Sequence, residues 1–132
     1  MIPRVLLIEN DGAALRPLKI LFSRMGILTR VATSLSAALR AIEDPLDFIF
    51  LKLELPDGDG IEILSDIRQR RLPVKVAVMS SADQPGVLLK LTRLAPDAIF
   101  GLPLDIEDFF DWLQSQGILT EPEESEDELE LV

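Results

Sequence analysis

The stretch that decides the fold runs from Asp47 to Gly60: Asp47-Phe48-Ile49-Phe50-Leu51-Lys52-Leu53-Glu54-Leu55-Pro56-Asp57-Gly58-Asp59-Gly60. Phe48 to Leu51 is a short run of four apolar residues with no polar alternation. That is the pattern of a strand covered on both faces, as in a parallel sheet. Pro56 to Gly60 is dense turn chemistry. Ile61, Leu64 and Ile67 then recur at helical spacing, so the stretch reads as strand, loop, helix.

Working outward, the same unit repeats in kind. Val5 to Ile8 is a second fully apolar strand. Asn10 or Asp11 caps a helix with its apolar face at Leu15, Leu18, Leu21, Phe22 and Met25, ended by Gly26. Leu28 to Ala32 is a weaker strand. Thr33 or Ser34 caps the next helix, whose stripe is Leu35, Ala38, Leu39 and Ile42. Val74 to Met79 forms strand four, and Ser80 to Asp83 opens a helix around Pro85 to Leu94. Ala98 to Phe100 forms strand five, and Asp105 caps a last helix to about Gln116. Five strand–helix units with short loops predict an α/β fold: a doubly wound, five-stranded parallel sheet with five helices.

Composition bounds the chemistry. The 132 residues are 48% hydrophobic and 27% charged, enough for one domain with a proper core. There are no cysteines and no histidines, which excludes thiol catalysis, thiolate metal sites and histidine acid–base chemistry. The net charge of −10 disfavours nucleic acid and anionic membranes as partners. Seven of the 23 acids fall within Glu121 to Val132, so the other 16 face 13 bases at a net −3. Residues 1–118 read as the domain and 119–132 as an acidic, disordered tail. No targeting or membrane-spanning stretch is read, so a cytoplasmic location is expected.

In an open parallel sheet, ligands bind beyond the carboxyl ends of the strands. Strand one ends in Glu9-Asn10-Asp11, strand three in Lys52-Leu53-Glu54, strand four in Ser80-Ser81, and strand five in Gly101-Leu102-Pro103. With these ends, the Leu55-Pro56-Asp57-Gly58-Asp59-Gly60 loop and five units of the right length, residues 4 to about 116 resemble the response-regulator receiver domain of bacterial two-component signalling.

The resemblance implies the strand order 2-1-3-4-5 and an aspartate phosphoacceptor at the end of strand three. It also implies magnesium on two acids after strand one, a hydroxyl after strand four and a lysine after strand five. Here the corresponding residues are Lys52, Glu9 with Asn10, Ser80 and Leu102. An amine cannot form an acyl phosphate, and magnesium requires hard anionic oxygens. The aromatic switch position on strand five holds Ile99. The expectation is a degenerate receiver, or pseudo-receiver: a phosphorylation-independent protein–protein interaction module, not an enzyme, with no cofactor and no metal.

Lys52 is expected to pair with Glu9, Asn10 or Glu54, which would fix one signalling state; the plain alternative is an ammonium reaching solvent along the sheet edge. Asp57 and Asp59 lack the other ligands of a calcium loop and read as a helix-initiating turn. Arg68, Arg70 and Arg71 suit a helix C-terminus. Helix four, with Val87, Leu88, Leu89, Leu91 and Leu94, is more apolar than one buried stripe needs. On the last helix, Ile106, Phe109 and Leu113 share a face, while Phe110 and Trp112 point elsewhere. By the receiver pattern, Leu88, Ile99, Phe110 and Trp112 mark a surface of helix four, strand five and helix five for a protein partner or homodimer. Two alternatives stand beside this. One is a small-molecule or anion sensor in the vacated pocket near Lys52 and Ser80. The other is residual phosphorylation on Glu54 or Asp11.

Overall fold

The computed structural model describes residues 2–81 and 85–117. The sheet strands are β1 (Arg4–Ile8), β2 (Leu28–Ala32), β3 (Phe48–Lys52), β4 (Lys75–Ser80) and β5 (Ala98–Gly101). All neighbours pair in parallel, as the alternation of strands and helices predicts, and the order is β2-β1-β3-β4-β5, as the resemblance implies. The helices are α1 (Gly12–Arg24), α2 (Leu35–Ala41), α3 (Ile61–Arg70), α4 (Pro85–Leu94) and α5 (Ile106–Ser115). No helix among the described residues is long and apolar enough to cross a membrane. The tail expected over 119–132 lies outside the described residues.

The central strands are apolar throughout because both faces are covered. Val5 to Ile8 and Phe48 to Leu51 are buried without a break. One face is aliphatic: Leu6, Ile8, Ile49, Leu51, Val76 and Val78 pack against α2, α3 and Leu91 of α4. The other is aromatic: Phe48 and Phe50 meet Phe22 of α1 and Phe109 and Trp112 of α5. Phe50 and Phe109 meet edge-on at 4.8 Å between ring centroids, within the range where aromatic pairs gain beyond area burial.

Trp112 departs from its expected place. Its indole meets Phe48, Phe50 and Phe100 edge-on at 5.7, 6.2 and 5.9 Å, so it completes the aromatic face instead of standing on an outer surface. Phe110 also packs, partly buried, against that cluster. The wide apolar span of α5 has a physical reason: the helix covers a sheet edge as well as a sheet face. Ile106, expected on the buried stripe with Phe109 and Leu113, is exposed at the first turn.

The loop after β3 holds a feature the turn signal alone did not reveal. Glu54–Leu55 and Gly58–Asp59 form a small antiparallel hairpin. It folds back tightly: the Gly60 N–H donates to the Leu53 carbonyl at 2.7 Å. A Cβ on Gly60 would lie 2.7 Å from the Lys52 carbonyl oxygen and 2.9 Å from Leu51 Cδ1, so only glycine fits. Asp59 starts α3 by accepting from the Ile61 N–H. Asp57 acts elsewhere. Its carboxylate accepts from the Leu35 and Ser36 N–H groups of α2, at 2.6 and 3.0 Å. Those bonds hold the Asp57 carboxyl below the usual carboxylate range.

Candidate functional site

The strand register brings the predicted residues to one rim. Ile8 pairs with Leu51, and Lys52 pairs with Met79, so Glu9, Lys52 and Ser80 emerge side by side where β1, β3 and β4 end. Glu9 is 3% exposed. Its Oε2 accepts from the Asn10 and Asp11 N–H groups at 2.8 and 3.0 Å, and the Lys52 ammonium lies 3.2 Å from the same oxygen. Lys52 Nζ also donates to Asn10 Oδ1 at 3.4 Å. The lysine side chain is 19% exposed, so it bends onto the rim rather than extending to solvent. A buried carboxylate demands partners of this kind, because an unpaired charge there costs several kcal/mol.

Glu54 stands on the other side of β3. It accepts from the Ser80 hydroxyl at 3.2 Å, the Ser81 N–H at 3.1 Å and the Ser81 hydroxyl at 2.8 Å. Partial burial pushes its carboxyl up. The Ser81 N–H and hydroxyl, the Ser80 hydroxyl and the Lys52 charge together outweigh that and hold it below its ordinary value. Ser81 was named in the sequence only as part of the end of strand four, with no role assigned to it. Asp11 caps α1 by accepting from the Ala13 N–H. Leu102 is partly buried against the aromatic cluster and brings no charge to the rim.

The magnesium that the resemblance implies does not fit this rim. Glu9 spends one carboxylate oxygen on two N–H groups and a cation, and Asn10 supplies only a neutral amide. Among the described residues no group of three or more His, Cys, Asp or Glu is arranged to hold a metal ion.

The surface residues divide. Leu88 and Ile99 are exposed at 49% and 47%, with Leu89 at 54% beside them, whereas Phe110 and Trp112 belong to the aromatic cluster. In α4, Leu91 is buried, and Val87 and Leu94 pack partly against the aliphatic face. Arg68 secures the end of α4 by donating to the Leu94 and Ala95 carbonyls at 2.9 and 2.8 Å.

A doubly wound parallel sheet in the order β2-β1-β3-β4-β5, with Glu9, Lys52 and Glu54 on its carboxyl rim, has the architecture of a receiver-type α/β domain. A family model described as the response regulator receiver domain matches residues 5–111, and the chain belongs to that family. Receiver domains of this family are non-catalytic signalling modules.

Among curated proteins, the chain is 23% identical over 114 residues to the photosynthetic apparatus regulatory protein RegA of Rhodobacter capsulatus, covering 86% of this chain and 62% of RegA. It is 30% identical over 106 residues to the transcriptional regulatory protein KdpE of Mycobacterium tuberculosis, covering 80% of this chain and 46% of KdpE. The chain thus spans less than two thirds of these relatives. Among solved structures, a CheY-like receiver domain protein of Methanospirillum hungatei superposes with a TM-score of 0.81 at 20% identity, covering 97% of this chain and 99% of its own. The receiver domain of a Francisella response regulator gives 0.76 at 25% identity, covering 85% and 93%.

Proposed function

We propose that this chain is a receiver domain that acts through protein–protein contact without accepting a phosphoryl group. The single observation that carries the reading is Lys52 at the end of β3 with its ammonium 3.2 Å from Glu9. In the receiver pattern that strand end bears the acceptor carboxylate. Here a fixed cation stands there, bound to the acid that would otherwise face a metal. Lys52 places a permanent positive charge where an acceptor carboxylate and its phosphoryl group would place negative charge. The rim is therefore held in one arrangement, and residues 1–118 act as a pseudo-receiver. Its output is a partner protein, or a second copy, on the surface of α4, β5 and α5, where Leu88, Leu89 and Ile99 are exposed.

The sensor reading is weaker. Both groups it needs already face carboxylates: Lys52 bonds Glu9, and the Ser80 hydroxyl donates to Glu54. Phosphorylation of Glu54 or Asp11 competes with the bonds each already makes to N–H and hydroxyl donors.

The test is incubation of the full chain with acetyl phosphate and magnesium, read by intact mass under acidic conditions. No added phosphoryl mass is expected. Stoichiometric labelling would overturn the proposal, and mapping it to Glu54 or Asp11 would put residual phosphorylation in its place.

A further inference from the structure

The opposite edge of the sheet carries a second exposed apolar surface, and its charge is the reverse of the protein's. Ile2, Ile20, Leu28 and Val31 are exposed at 65%, 50%, 55% and 38%. Ile2, Lys19, Ser23, Gly26, Leu28 and Thr29 border a shallow groove of about 400 Å³ between the start of β2 and α1. The Thr29 hydroxyl is buried there and has no hydrogen-bond partner. Helix α1 carries Arg16, Lys19 and Arg24 and no acid along its thirteen residues. Arg16 and Arg24 lie one turn on either side of Ile20, on the same helix face. Among the described residues neither Arg16 nor Lys19 pairs with an acid. This is a basic, apolar surface on a chain of net charge −10.

We propose that this α1–β2 surface is covered in cis by the chain's own acidic segment, Glu121 to Val132. The segment has the complementary composition: seven acids, no base, and Leu129, Leu131 and Val132 after the acidic run. Glu128-Leu129-Glu130-Leu131 alternates charge and apolar side chain, so an extended segment presents leucines on one side and carboxylates on the other.

The reach is sufficient. Lys75 Nζ donates to Gln116 Oε1 at 2.7 Å, which sets the end of α5 over the first residue of β4. From Lys75 the register runs across the sheet through Phe48 and Val5 to Thr29. Three strand spacings make that crossing about 14 Å. Eleven residues, 118 to 128, separate Gly117 from Leu129. A chain of that length spans about 36 Å when extended, and an unstructured one averages about 18 Å. An average length close to the span is where tethering raises effective concentration most.

The competing apolar surface attracts the same segment less, because its charges are of both signs. Helix α5 carries Glu107, Asp108 and Asp111 and no base, while α4 carries Lys90 and Arg93 and no acid, so the two helices around Leu88 and Ile99 sum to −1 against +3 on α1. The segment is therefore directed to α1 and β2, and the α4–β5–α5 surface is left open.

The chain has no cysteine, so Ser125→Cys provides a single attachment point for a nitroxide on the full-length protein. The readout is the amide signal intensity of every residue, oxidised label against reduced. At low salt, residues 16–29 are expected to lose intensity about twofold or more while residues 88–99 keep theirs. The loss should disappear in Arg16→Glu/Lys19→Glu and in about 0.5 M salt, where the Debye length is only about 4 Å. Both substitutions are at exposed positions, and an unchanged amide spectrum elsewhere verifies the fold. Losses confined to the residues next to Gly117, losses on 88–99, or losses on 16–29 that survive the charge reversal would each overturn the proposal. So would losses seen when isotope-labelled chain without nitroxide is mixed with unlabelled nitroxide-bearing chain, because the segment would then be a neighbour's.

Discussion

Two carboxylates flank the end of β3, and they are satisfied by opposite means. Glu9 is buried and answered by a cation, with Lys52 at 3.2 Å. Glu54 is nearer to solvent and answered chiefly by neutral donors, the hydroxyls and N–H of Ser80 and Ser81. The difference teaches which half of the rim is fixed. A buried charge pair cannot separate without stranding a charge, whereas hydroxyls exchange easily with water. On the proposed reading, the β1–β3 half is the locked one and the β3–β4 half the one that rearranges beside a partner.

The most severe way to break this comparison is Lys52→Ala. It leaves Glu9 buried with two N–H donors and no cation. The expected loss is about 2–3 kcal/mol, less than the 3–5 of a fully buried pair because Lys52 keeps some contact with water. Urea unfolding at pH 7 measures it, and an unchanged midpoint would mean that the pair locks nothing. Glu54→Gln sharpens the contrast from the other side. It keeps the geometry and weakens charge-assisted bonds near solvent, so the same measurement should show a loss of about 0.5–1 kcal/mol.

Acid gives a third test. Glu54 and Asp57 both titrate below their ordinary values. A depressed folded-state pKa contributes stability that is fully present above the unfolded value, 4.5 for Glu54, and that is lost as pH falls through the folded value. Stability should therefore hold from pH 7 to 5 and decline below 4.5, with a shallower decline in Glu54→Gln. An equally steep decline in that variant would assign the acid response to other groups. The smallest effect is expected from Glu9→Gln with Lys52→Met, which removes both charges together. A net change within about 1 kcal/mol, against the larger loss in Lys52→Ala, would isolate the coupling between the two residues.

The sheet was legible in the sequence because its central strands are covered on both faces and leave uninterrupted apolar runs. The Lys52–Glu9 pair was legible for a related reason: adjacent parallel strands bring their ends together, whatever the side chains. Trp112 was not legible. On α5, apolar residues point in several directions, and only the position of Phe48, Phe50 and Phe100 beneath the helix decides which way the indole turns. The role of Asp57 was hidden for another reason. The turn signal is local, while its partners lie 21 and 22 residues away in sequence.

That contact also bears on the order in which the chain folds. Helix α2 has only seven residues, too few to persist alone in water. Ser34 supplies the acceptor for one first-turn N–H, from Ala37, and Asp57 supplies those for Leu35 and Ser36. Two of its three caps therefore arrive only after β3 has joined the sheet and its hairpin has turned back. Helix α2 should consolidate late, although it precedes β3 in the chain. In a kinetic series, Asp57→Ala should speed unfolding and leave the refolding rate nearly unchanged.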